Sequence, residues 1–114
     1  MDTICREKAE HYVWGEQCDG WRLVYNQALS IIEERMPPAT SERLHRHAQA
    51  QQFFYILEGE AEVICDGRDI ALKAGQGIHI PAGVPHRIRN HSAGDLRFLV
   101  TSEPNTRNDR VDLG

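Results

Sequence analysis

Apolar and polar residues alternate with a period of two along much of this chain, the pattern of half-buried strands rather than helices. In Gln52 to Glu60 (QFFYILEGE), Gln52, Phe54 and Ile56 fall on one face, and Phe53, Tyr55 and Leu57 on the other. Aromatic and β-branched residues reinforce the strand reading there. Ala61 to Cys65 and Arg68 to Leu72 flank Asp66-Gly67, a dipeptide suited to a two-residue hairpin. Thr40 to His47 reads as extended, Pro81-Ala82-Gly83 and Ser92 to Asp95 mark reversals, and another alternating run begins at His86. Many short strands with turn punctuation predict an all-β sandwich or barrel.

The two ends break this pattern. Ile4 to Tyr12 carries charges at every turn and is compatible with a short helix, an edge strand or an arm, within an N-terminal arm spanning about residues 1–20. Glu103 to Gly114 is rich in Asn, Asp and Arg, a composition that predicts a poorly anchored tail.

A chain of 114 residues supports one domain, residues 1–114, built on one core. Its net charge of −4 and lack of a basic block argue against nucleic acid, because phosphate binding needs clustered Lys and Arg. The longest apolar run, Phe53 to Leu57, is too short to cross a bilayer, and the charged amino terminus is unlike a signal peptide. Cytoplasmic residence is the expectation. Cys5, Cys18 and Cys65 are odd in number and lack CxxC spacing, so free thiols are expected.

The chemistry concentrates in the histidines. In a strand, residues i and i+2 share a face, so His45 and His47 can converge on one ion. Only Ala48 to Gln51 separate them from Gln52, a length suited to a hairpin-type reversal that would return Gln52 to their side. His86 follows the Pro81-Gly83 turn. By the same alternation Arg43 points to the ligand side, where it could hold a substrate carboxylate; a position at the rim reaching water is the other reading. Phe54 and Ile88 share faces with Gln52 and His86, as pocket wall or as core packing. Among carboxylates, only Glu33 or Glu34 could approach, from a neighbouring strand.

These residues resemble the two signature motifs of the cupin superfamily. His45, His47, Gln52 and Gly59 meet the first at every position but one, Gln standing where Glu is usual. Gly75, Pro81, Gly83, His86 and Asn90 meet the second throughout. The motif core covers residues 42–90. The flanks, Trp21 to Met36 with Pro37-Pro38, and Leu99-Val100 with Asp109-Arg110, look like a group of small single-domain cupins. The resemblance implies a jelly-roll barrel, the double-stranded β-helix of two antiparallel sheets, around one divalent transition metal (Fe, Ni, Mn or Zn). It implies His45, His47, Gln52 and His86 as ligands and a homodimer; Phe53, Tyr55 and Leu57 need cover from the second sheet or from another subunit, and the latter suits such a dimer.

Gln52 is the consequential departure. An amide oxygen coordinates without adding charge, so the ion's full +2 favours hydroxide, carboxylate or enolate ligands. Gln also has no pKa useful to a general base. A simpler role, hydrogen bonding beside an ion held by three histidines, stands next to ligation. The resulting expectation is a metal-dependent enzyme acting on a small polar organic molecule, a dioxygenase before an isomerase. The alternatives are a non-catalytic sensor or storage module, and a metal-free epimerase-like cupin.

Overall fold

The alternation in the QFFYILEGE stretch takes physical form as a strand that buries Gln52, Phe54 and Ile56 and leaves Phe53, Tyr55 and Leu57 on the outer surface. It is one of twelve strands in the computed structural model, which describes residues 1–114. They are β1 (Glu10–Trp14), β2 (Cys18–Tyr25), β3 (Ser30–Met36), β4 (Thr40–Ser41), β5 (His45–His47) and β6 (Gln51–Glu58). The series continues with β7 (Glu60–Cys65), β8 (Arg68–Lys73), β9 (Gly77–Ile80), β10 (His86–Asn90), β11 (Leu96–Glu103) and β12 (Arg110–Asp112).

Two antiparallel sheets result, the jelly-roll expected. One runs β1-β2-β3-β11-β6-β9; the other runs β12-β5-β10-β7-β8, with β4 pairing β10. Between them lies a core in which Phe54 and Phe98 stack at 5.6 Å and Ile56, Ile88 and Leu96 are fully buried. Asp66 and Gly67 both adopt positive φ (52° and 78°), which is the backbone a two-residue turn between β7 and β8 demands. Asn90 ties a different corner: its amide donates to the carbonyls of Met36 (2.9 Å) and Gly94 (2.8 Å).

Three expectations need correction. Ala48 to Gln51 is not a hairpin reversal, because β5 and β6 belong to different sheets; the connection crosses the barrel. Gln52 therefore faces the histidines across the interior instead of beside them. Of the readings open to Ile4 to Tyr12 the edge strand holds, since β1 pairs in register with β2, and the arm drawn over about residues 1–20 therefore ends before Glu10. The C-terminal segment is anchored, since β12 pairs with β5 and Leu113 N donates to Leu44 O at 2.9 Å. Composition misjudged it because its stability comes from a distant strand edge, not from local apolar content.

A candidate metal centre and its cavity

Strand alternation turns both His45 and His47 inward from β5, and both are buried. His86, first residue of β10, is registered directly against His45. The Pro81-Gly83 turn that precedes it is pinned to β5 by a hydrogen bond from Gly83 N to His47 O, 2.8 Å. Ring centroids lie 4.4 Å apart for His45 and His86, 5.0 Å for His45 and His47, and 5.7 Å for His47 and His86. One ring nitrogen from each falls within 4.8 Å of the others, close enough for all three to hold one metal ion.

Hydrogen bonding selects which nitrogen is available. Nδ1 of His45 faces the Arg43 carbonyl (2.7 Å), Nδ1 of His86 the Val84 carbonyl (2.9 Å) and Nδ1 of His47 the Asp109 carboxylate (2.8 Å). These oxygens only accept, so each ring carries its proton on Nδ1 and leaves Nε2 with a lone pair. Burial then keeps the rings neutral. It holds the His45 imidazole down at about 3 and lowers those of His47 and His86 as well, outweighing the opposing pull of Asp109 on His47. Neutral imidazole is the form that ligates.

Gln52 adds a further observation. Its Oε1 lies 2.9 Å from His86 Nε2, while its amide nitrogen donates to Ser102 Oγ at 3.0 Å. Two acceptors therefore face one another, an arrangement that a cation relieves. Ligand atoms at right angles about 2.1 Å from a transition metal are about 3 Å apart, which matches this spacing. Turning the amide by 180° would supply a proton to Nε2 instead, so Gln52 can serve the ring nitrogen with or without an ion. The three imidazoles and one amide oxygen fit a divalent first-row metal.

The histidines of β5 and Gln52 open on a cavity of about 260 Å³. Its apolar wall includes Phe54, Ile32 and Val100, so Phe54 stands where alternation placed it. Ile88 is wholly buried in the core and takes no part in that lining. Arg43 takes the rim position, the second of its two readings, and not the pocket: residues 42–44 are not strand, alternation fails, and its exposed side chain borders an adjoining surface cleft with Trp14 and Ser41.

Of the titratable wall, sequence reasoning reached Glu34, as one of a pair with Glu33, and missed Tyr12, Glu42 and Arg110. Tyr12, Glu34, Glu42 and Arg110 all border the cavity. Tyr12, Gly20 and Glu34 occupy one row across β1, β2 and β3, and the Tyr12 hydroxyl donates to Glu34 Oε2 at 3.4 Å. Burial and then the nearby Glu42 charge push the Glu34 carboxyl up to about 8. Burial likewise raises Glu42 to about 7, against the pull of Arg110 and a hydrogen bond from Ile88 N. The Tyr12 phenol is also raised, first by burial, and stays protonated. The available signal was Glu34 itself, on the inward phase of the Ile32-Glu34-Met36 alternation. Its neighbour Glu33 faces outward and pairs with Arg97 at 2.9 Å.

Comparison with known proteins agrees with this architecture. Residues 32–102 match the family model described as the cupin domain. An oxalate-binding protein of Thermotoga maritima is 34% identical over 77 residues, covering 68% of this chain and 64% of the relative. The transcriptional regulator PuuR of Escherichia coli is 33% identical over 96 residues, covering 81% of this chain and 52% of the regulator. The chain thus spans somewhat more than half the length of these relatives. Among solved structures, an RmlC-like cupin from Shewanella frigidimarina superposes with a TM-score of 0.84 at 22% identity, covering 95% of each chain. A family match over more than half of the sequence, on a barrel with this topology, means that the chain belongs to the cupin family.

Proposed function

We propose that this protein is a metal-dependent enzyme that moves a proton on a small, oxygen-rich organic molecule. The observation that carries the reading is the sharing of one cavity by ligand nitrogens on one sheet and the Glu34 carboxyl on the other. His45, His47 and His86, with Gln52 Oε1, would hold one divalent ion, leaving positions open for substrate oxygens. The ion, when bound, supplies Lewis-acid polarisation of a carbonyl or carboxylate oxygen.

The remaining work belongs to the chain's own groups. A carboxyl that titrates near 8 sits close to the operating pH, where a proton is both held and released readily; Glu34 is therefore the acid-base residue. Tyr12 fixes its orientation through the hydroxyl hydrogen bond. Arg110, at the edge of the cavity, is placed to meet an anionic substrate group. Phe54, Ile32 and Val100 exclude water around the reacting atoms. This acid-base wall favours isomerase-type chemistry over the dioxygenase reading, which needs no such group.

Size narrows the substrate class. Sites for drug-sized ligands measure about 300–1,000 Å³, and this cavity, at about 260 Å³, falls below that range. A small carboxylic or oxo acid fits, and the oxalate-binding relative supports such a ligand. Likeness to the PuuR regulator favours one second reading, a sensor that binds the same molecule without turning it over. Two copies of the chain would pair through the exposed Phe53, Tyr55 and Leu57.

The test is elemental analysis of untagged protein purified without chelator, followed by a screen of small carboxylic and oxo acids in deuterated water. Near-stoichiometric metal and deuterium incorporation that Glu34→Gln abolishes support the enzyme. Metal and ligand binding without exchange supports the sensor.

A further inference from the structure

Two of the three histidines sit on β5, a strand of three residues, and the C-terminal segment seals its outer edge. After leaving β11, the chain crosses from one sheet to the other. Asn105 N docks on Gln27 O (3.1 Å), and β12 then runs antiparallel to β5 with Arg110 opposite His47 and Asp112 opposite His45. On its inner side, β5 is registered against β10 only at His45 and His86.

Asp109 stands at the start of this pairing. One carboxylate oxygen accepts the His47 Nδ1 proton at 2.8 Å. The other accepts the backbone N–H of Gln49 (3.1 Å) and Ala50 (2.9 Å). Its backbone carbonyl accepts from Ala48 N at 3.0 Å. A single residue thereby fixes the ring of His47 and the whole crossing that leads to Gln52. Its side chain is only 9% exposed, although the sequence around it is polar.

We infer that Asp109 is the positioning residue of the metal centre, and that the Glu103–Asp112 segment is a strap that brings this carboxylate to His47. The inference rests on the metal reading of the histidine cluster. An Asp in this role locks the tautomer that bares Nε2, raises the basicity of the ring and sets the path of the loop to Gln52. Loss of such a carboxylate behind a ligating histidine typically weakens metal affinity about 10- to 100-fold.

The experiment measures zinc affinity by competition with a chromophoric chelator, alongside the ring ¹⁵N chemical shifts of His47 in the metal-free protein. Three proteins are compared: wild type, Asp109→Asn and Val111→Ala. Val111 belongs to the same strap but is 37% exposed and stands opposite Arg46, not His47, in the register. Expected are about 10- to 100-fold weaker zinc binding in Asp109→Asn, binding within about twofold of wild type in Val111→Ala, and His47 shifts that leave the Nδ1-protonated tautomer only in Asp109→Asn. Equal affinities for wild type and Asp109→Asn overturn the inference, as does equal weakening by both variants. A wild type that takes up no zinc overturns the metal reading instead. The His47 shifts then decide the role of Asp109 by themselves: an unchanged tautomer in Asp109→Asn refutes it.

Discussion

The Tyr12 hydroxyl reaches Glu34 by passing over Gly20, which separates the two in the sheet register. A Cβ at position 20 would come within 2.2 Å of Tyr12 Cζ. The absence of a side chain there is what lets a phenol from the edge strand enter the cavity.

Gly20→Ala is therefore expected to expel the Tyr12 ring and destabilise the fold by about 1–3 kcal/mol, the usual range for overpacking. Urea denaturation measures it. Adding Tyr12→Ala should recover part of the loss, because the clash disappears; strictly additive effects of the two changes would contradict the packing described.

His86→Ala should lower metal content from near one ion per chain to a small fraction, since it removes the ligand nearest Gln52. Gln52→Glu should keep the ion and change the order of preference among Fe, Ni, Mn and Zn, because a carboxylate adds the charge that the amide lacks. Full occupancy in His86→Ala, read by mass spectrometry of the metals, would sink the four-ligand site.

Glu34 makes stability depend on pH. Unfolded, its carboxyl loses a proton near 4.5; folded, burial and the neighbouring Glu42 hold that proton to about 8, with Tyr12 opposing and Arg110 across the cavity. The folded state thus binds more protons between these values, and stability falls as pH rises through that window. Metal-free wild type should lose several degrees of Tm relative to Glu34→Gln between about pH 5 and pH 9. A Tm difference that stays constant with pH would remove Glu34 as the titrating group.

The outer row of β6 offers a separate test. Phe53, Tyr55 and Leu57 are 43%, 38% and 37% exposed on adjacent outward positions. Tyr55→Lys should shift the protein toward monomer in sedimentation velocity, because a buried charge without a partner is costly at such a face. An unchanged sedimentation coefficient, with wild type already monomeric, would contradict pairing through this row.

How much was legible in the sequence follows from how each residue reaches its place. His45, His47 and His86 could be read because their spacing couples directly to strand alternation, and Asp66-Gly67 because a turn is local. Arg43 stayed open between pocket and rim because alternation does not hold through residues 42–44, where the backbone leaves the strand. Gln52 arrived at the right site by another route, crossing between sheets instead of turning back within one. Glu34 and Tyr12 come from strands far from the motifs, and their convergence depends on the register of β1, β2 and β3. Asp109 was hidden most deeply. Its polar surroundings read as tail, and its value lies in a contact with His47 across 62 positions of sequence.

That separation has a consequence for biosynthesis. At about 5–20 residues per second, His47 is made roughly 3–12 s before the carboxylate that orients it. A nascent chain in that interval carries His45 and His47 on a strand whose outer edge is still open. The supported histidine cluster therefore forms only after residue 109 has been made, and a chain released before Asp109 would display the same imidazoles without the support that holds them in place.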